Sequence, residues 1–126
     1  MNAAESFPKA RLNFLIDGAK REVEAVVVLD QNALIVTDRK DRSVLKIFPY
    51  PNIRSAEYAF ARSPKWKAPA LGNIFFLDPK SKKHWFMVRT IDDYALIELD
   101  SANSNLVLEA FEIRAGRKVE TVEDSR

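Results

Sequence analysis

The sequence predicts a mainly β domain of seven or eight short strands, closed by one C-terminal α-helix. Three observations carry this. Short apolar runs bounded by Gly, Pro, Asn and Asp recur along most of the chain. One segment only, residues 102–115, changes to a helical period. No strand alternates with a helix, which excludes a parallel α/β sheet. Strands joined by hairpins and accompanied by one amphipathic helix need a barrel or sandwich whose open end the helix plugs. No internal repeat and no low-complexity stretch interrupts the pattern.

Taken in order, residues 1–21 read as an N-terminal extension with a lead-in strand over 11–17, stopped by Gly18. The domain proper spans 22–120, and 121–126 is a tail. Residues 22–29 form a strong strand, with Val23, Ala25, Val27 and Leu29 on one face. Asp30, Gln31 and Asn32 then make a tight turn, because Asp and Asn tolerate left-handed backbone, and 33–37 runs back as a hairpin. The charged stretch 38–43 is the next turn, followed by a strand over 44–48. Pro49 and Pro51 cannot donate to a ladder and mark a bend around Tyr50. Beyond it, 53–61 sets Ala56, Tyr58 and Phe60 against Ser55, Glu57 and Ala59. Residues 63–72, with Pro64 and Pro69, form a loop; 73–77 and 84–90 make a hairpin across 78–83, and 94–99 is the last strand.

In the helical segment, Leu106, Val107, Ala110, Phe111 and Ile113 fall on one side at 100° per residue, with Leu108 outside the stripe. Burial is expected for Leu106, Ala110, Phe111 and Ile113. Ser101 is the candidate N-cap, with Asn103 and Ser104 as rivals. Gly116 is the expected C-terminal cap, and Arg117 and Lys118 suit the negative end of the helix dipole.

The composition excludes several functions. The chain has 126 residues, enough for one domain that buries a core without metal or disulfide staples. With 20 basic and 18 acidic residues the net charge is +2, too balanced for a general nucleic-acid binder. No apolar run is long enough to span a bilayer, and residues 1–10 hold no apolar signal core, so no leader is expected in this chain and its compartment stays open. With no cysteine there is no thiolate chemistry.

Catalytic, cofactor-binding and metal sites are not expected either. His84 is the single histidine and has no nucleophile motif around it. Asp92 and Asp93 are adjacent on a turn, where they solubilise it. Gly18, Gly72 and Gly116 are each explained by a turn or cap, and no phosphate cradle can be built from them.

One charge asymmetry remains. Arg62, Lys65, Lys67, Lys80, Lys82 and Lys83 face a single acid, Asp78, whereas residues 91–100 carry four acids and no base. With Trp66, which stands between Lys65 and Lys67, these six form the candidate contact surface for an acidic protein partner or an anionic membrane. An exposed Trp between lysines is what a hot spot or interfacial anchor needs. The competing reading folds Trp66 back over one end of the core and sends the two loops to different sides. Trp85, on a strand, is core or sheet packing.

Two stretches resemble a known family. The run Ala33-Leu34-Ile35-Val36-Thr37-Asp38-Arg39, followed by Ile47-Phe48-Pro49-Tyr50-Pro51-Asn52-Ile53, is similar to a GRAM and bacterial pleckstrin-homology-like pattern. Lys83-His84-Trp85-Phe86-Met87-Val88 and the helix ending Arg114-Ala115-Gly116-Arg117-Lys118 resemble the later strands and closing helix of small uncharacterised bacterial members. The resemblance covers roughly residues 22–120 and implies two nearly orthogonal antiparallel sheets capped by the helix. It implies binding of phosphoinositides, peptides or proteins, or a scaffold role, and no reaction. Lipid-binding members hold phosphates with Lys and Arg on loops matched here to 30–32, 49–52 and 91–93, which contain no Lys or Arg and three aspartates. Phosphoinositide binding at that usual site is therefore not expected. In this fold class an edge groove beside the helix can also accept an extended peptide. The expected function is a non-catalytic binding or scaffold module contacting another protein, or a second copy of itself, through that groove or the 62–83 region. The alternative is attachment to an anionic membrane surface.

Overall fold

The structure, a computed structural model, describes residues 3–17, 19–67 and 81–124. Eight strands are present among them: β1 (Glu5–Ile16), β2 (Ala19–Leu29), β3 (Ala33–Asp38), β4 (Val44–Pro49), β5 (Ser55–Ala61), β6 (Lys83–Arg89), β7 (Tyr94–Leu99) and β8 (Glu120–Thr121). The helix α1 (Ser104–Ala115) lies between β7 and β8, and a 3-10 turn at Tyr50–Asn52 makes the bend expected at the two prolines. The strands form one curled sheet in the order β4-β3-β2-β1-β7-β6-β5-β8. The two sheets expected from the sequence are thus halves of one, joined where Arg11, Leu12 and Asn13 of β1 pair with Glu98, Ile97 and Leu96 of β7. The half of the hairpin expected at 73–77 lies outside the described residues.

The largest difference from expectation is at the N-terminus. The supposed extension contributes β1, which pairs with β2 from Glu5 to Ile16 and buries Ala10 and Leu12 in the core. Its period is broken because Phe7 and Ala10, an odd spacing apart, both pack on the same core cluster. A β-bulge at Pro8 and Lys9 absorbs the extra residue, and Lys9 sits in left-handed backbone at φ 69°.

One face of the sheet wraps a core built on Leu12, Val27, Leu29, Leu34, Val36, Phe86, Val88, Ile97 and Phe111. The next residues along β6 point the other way, as strand alternation demands. Trp85 and Met87 form a second cluster with Leu96. The described part of the expected tail, residues 121–124, also belongs to the fold: β8 pairs in parallel with β5, and Val122 is buried against Ala59 and Ala61.

The helix starts after Asn103, whose side chain donates from Nδ2 to the Pro8 carbonyl (3.1 Å) rather than capping its own helix. Gly116 ends it in left-handed backbone, as expected. Val107, Ala110 and Phe111 are buried, but Leu106 and Ile113 are 59% and 74% exposed, a correction to the predicted face. At 100° per residue Leu106 and Ile113 stand about 100–120° from Val107, while Ser104, Phe111 and Ala115 lie within about 80° on its other side. The core side is centred on that second group, and Leu108, placed outside the stripe by sequence, packs against the core.

Candidate functional site

Among the described residues, members of the predicted contact surface line two clefts, Lys67 in one and Lys82 and Lys83 in the other. After β5 the chain is clamped to the C-terminal tail: the Arg62 and Ser63 amides donate to the Asp124 carboxylate (3.0 and 3.1 Å), and the Lys65 amide donates to the Glu123 carbonyl (2.8 Å). Trp66 is half-buried and bridges the Trp85–Met87–Leu96 cluster to the Ala59–Ala61–Val122 cluster. Trp85 is buried, as the sequence reading expected, and its Nε1 donates to the Ala61 carbonyl (3.1 Å). The Lys67 amide donates to Glu57 Oε2 (2.8 Å), and Lys67 lines a cleft with Arg54, Arg117 and Lys118. Lys82 and Lys83 line a different cleft that shares no residue with the first. Lys80 lies outside the described residues.

The second cleft, of about 450 Å³, opens where β1 and β7 part beyond their three paired residues. Its lining brings Lys9 and Arg11 of β1 and Arg39 after β3 together with Lys82, Lys83 and His84. Against these stand Glu24, Glu98 and Asp100. Glu98 meets Lys83 Nζ (3.5 Å), Arg11 meets Glu22 on the neighbouring strand (3.6 Å), and Asp100 Oδ2 accepts from the Ala102 amide (3.0 Å). Among the described residues Lys9, Arg39 and Lys82 make no ion pair. His84 Nδ1 lies 2.6 Å from the Tyr58 hydroxyl, its ring stacks on Phe60 (4.6 Å), and Lys82 Nζ sits 5.7 Å from the Phe60 centroid. Burial pushes the Tyr58 hydroxyl pKa up. Sequence reasoning found Lys82 and Lys83 but missed Lys9, Arg11 and Arg39, because only the pairing of β1 with β2 and β7 carries them there. The one available signal was Pro8, which marks an interruption in a strand.

A second surface was not foreseen at all. The non-core face of β2–β4 presents Val28, Ile35 and Ile47 in one cross-strand row and Val26, Thr37 and Val44 in the next. Ile47 and Val44 are 56% and 59% exposed, and among the described residues β4 pairs on one side only. The turn after β3 rims this face with cations. Asp38 Oδ1 accepts from the Lys40 amide (2.7 Å) and Asp41 Oδ1 from the Ser43 amide (2.9 Å), and the latter bond holds the Asp41 carboxyl below the usual range. With both carboxylates turned onto their own backbone, Arg39 and Arg42 line a concavity of about 530 Å³ floored by Val26, Val28 and Thr37.

Burial also leaves polar groups inside. Arg89 is 4% exposed, and none of its guanidinium nitrogens has a hydrogen-bond partner among the described residues. Its burial lowers its pKa, with the Glu57 carboxylate acting in the opposite direction.

The loop correspondence drawn from the sequence is also corrected. Because residues 5–16 are a strand, the first connection is the one between β1 and β2 and not 30–32, so the three loops matched from the sequence are the second and fourth connections and the one after β6.

Two solved structures share the fold. The Spt16D Pob3N heterodimer superposes with a TM-score of 0.60 at 14% identity, over 99% of this chain and 57% of that one. The hSac2 domain from the human phosphoinositide phosphatase Sac2 gives a TM-score of 0.55 at 14% identity, over 97% of this chain and 77% of that one. The chain therefore spans a little over half of the first neighbour. The pleckstrin-homology-like fold is shown by this likeness together with the curled eight-stranded sheet and its closing helix. No family model and no curated protein sequence matches the chain. No helix among the described residues is long and apolar enough to cross a membrane.

Proposed function

We propose that this chain is a non-catalytic binding module that contacts another protein through the outer face of β2–β4. The observation that carries the reading is the pair of apolar cross-strand rows, open to solvent at Val44 and Ile47 and bounded by Arg39 and Arg42. Exposed β-branched side chains on a rigid sheet supply apolar contact area, and an arginine rim gives orientation. The partner this chemistry fits is a segment with apolar side chains next to acidic ones. The fold supports a binding role without choosing the ligand. The structural neighbour solved as a heterodimer is an instance of this fold in a protein assembly. The pattern of residues 33–53 supports a place among GRAM-like proteins of bacterial type.

The test is recovery of partners from native cell extract with the wild-type chain and with Ile47→Asp, followed by titration of the recovered protein in purified form. The expected result is a partner bound by the wild type and lost by Ile47→Asp and Arg42→Glu, with melting temperature unchanged. If both variants keep the partner, this face is not the interface. If the chain instead sediments with anionic vesicles and recovers no partner, the membrane reading replaces this one.

A further inference from the structure

The geometry points to the cleft between β1 and β7 as a site for a phosphoryl group, held by Lys9, Arg39 and Lys82. This does not rest on the protein-binding reading above. The cleft has five cations against three carboxylates, and two of those carboxylates are already engaged. The three cations that make no ion pair among the described residues come from a bulge in β1, the turn after β3 and the residue before β6, places far apart in sequence and gathered on one cavity of about 450 Å³. The cations outnumber the carboxylates, and an anion of more than one charge offsets that excess while accepting from several donors.

The backbone favours the same conclusion. Lys9 is held at φ 69°, a conformation that non-glycine residues seldom adopt. Pro8 lacks an N–H, so the ladder loses a donor where the bulge sits. The Asn103 side chain anchors the Pro8 carbonyl at 3.1 Å and ties the bulge to the helix start. The left-handed backbone and the anchored Pro8 carbonyl fix where the exposed Lys9 side chain leaves the strand, at the rim of the cleft. Arg39 also lines the concavity on the β2–β4 face, so Lys9 and Lys82 are the residues that isolate this site.

The test uses the full chain and two probes carrying the same group: pyrophosphate in solution, and phosphatidylcholine vesicles with and without phosphatidic acid. Pyrophosphate should give saturable amide shifts in residues 9–11, 39 and 82–84. Lys9→Asn keeps left-handed backbone accessible, and it and Lys82→Gln should each weaken binding about tenfold. Lys118→Ala, in the other cleft, and Ile47→Asp should leave it unchanged. Binding of pyrophosphate alone assigns a soluble phosphate, and binding of phosphatidic acid vesicles that is lost in the double variant assigns a headgroup. Non-saturating shifts spread over surface lysines, or equal binding by the double variant, would overturn the assignment.

Discussion

Replacing Phe111 by alanine and, separately, Ile113 by alanine tests which side of the helix closes the domain. Phe111 is fully buried, and its ring meets Phe86 edge-on at 5.2 Å and Tyr50 edge-on at 6.3 Å. Removing the ring leaves a cavity at the joint of helix, β6 and the proline bend. A Phe→Ala change at such a site costs about 3–5 kcal/mol. The two edge-to-face contacts account for about 0.5–1.5 kcal/mol each within that total. Ile113 is 74% exposed, and its alanine variant should lie within about 0.5 kcal/mol of wild type. Urea unfolding followed by tryptophan fluorescence reads both, and the slope with denaturant should be unchanged if the native state keeps its compactness. A Phe111→Ala cost below about 1 kcal/mol, or an equal cost for Ile113→Ala, would refute the helix orientation.

Trp66→Ala removes a half-buried indole that bridges two apolar clusters, so it should cost about 2 kcal/mol or more in urea unfolding. Intact stability with lost partner binding would instead restore Trp66 as a contact residue. Tyr50 donates its hydroxyl hydrogen to the Asp30 carbonyl (2.7 Å), and burial pushes its pKa up to about 12, with Arg114 opposing and Asp30 and Glu5 adding to the shift. Since an unfolded tyrosine ionises near pH 10, this contribution to stability is complete below about pH 10 and is lost as the pH rises toward 12. Tyr50→Phe should flatten that alkaline decline in a pH series of melting temperatures; an unchanged decline would assign it to other groups.

The hairpins were legible because their signals are local. Residues 22–29 alternate cleanly, 33–37 and 44–48 are short apolar runs bounded by turn residues, and Asp30 closes the first of these turns by accepting from the Asn32 and Ala33 amides (both 2.7 Å). The β1 strand was half lost because the bulge at Pro8 and Lys9 inverts its period, and a window that reads alternation cannot carry one face across it. Its misreading shifted the loop correspondence by one connection. The two residues of β8 have no period to read, and only the register with Glu57 and Tyr58 makes them a strand. The helix existed in the sequence but its face did not, because apolar residues occupy more than half its circumference and only packing selects among them. Lys82 and Lys83 were legible as charge, yet their companions Lys9 and Arg39 come from elements that only the sheet brings near.

An open edge strand beside an apolar face could recruit a partner in two ways, by extending the sheet or by covering the face. Sheet extension needs a regular row of free main-chain groups along β4. That row is interrupted. The register between β3 and β4 shifts after Val36, which places an extra residue on β4 and bends it. Pro49 removes the last donor of the strand. Lys46 Nζ spans to Asp93 Oδ1 at 2.6 Å and lies 5.6 Å from the Tyr94 centroid, tying the middle of β4 to the connection after β6. The same devices leave the outer face untouched, since Ile35, Ile47 and Val44 point away from the side that Lys46 uses. If this face binds a partner as proposed, recognition therefore runs through side chains. On that proposal, partner choice would be set by how well an apolar segment fits the Val28–Ile35–Ile47 row and places its carboxylates against Arg42, with no main-chain pairing to dilute that selectivity.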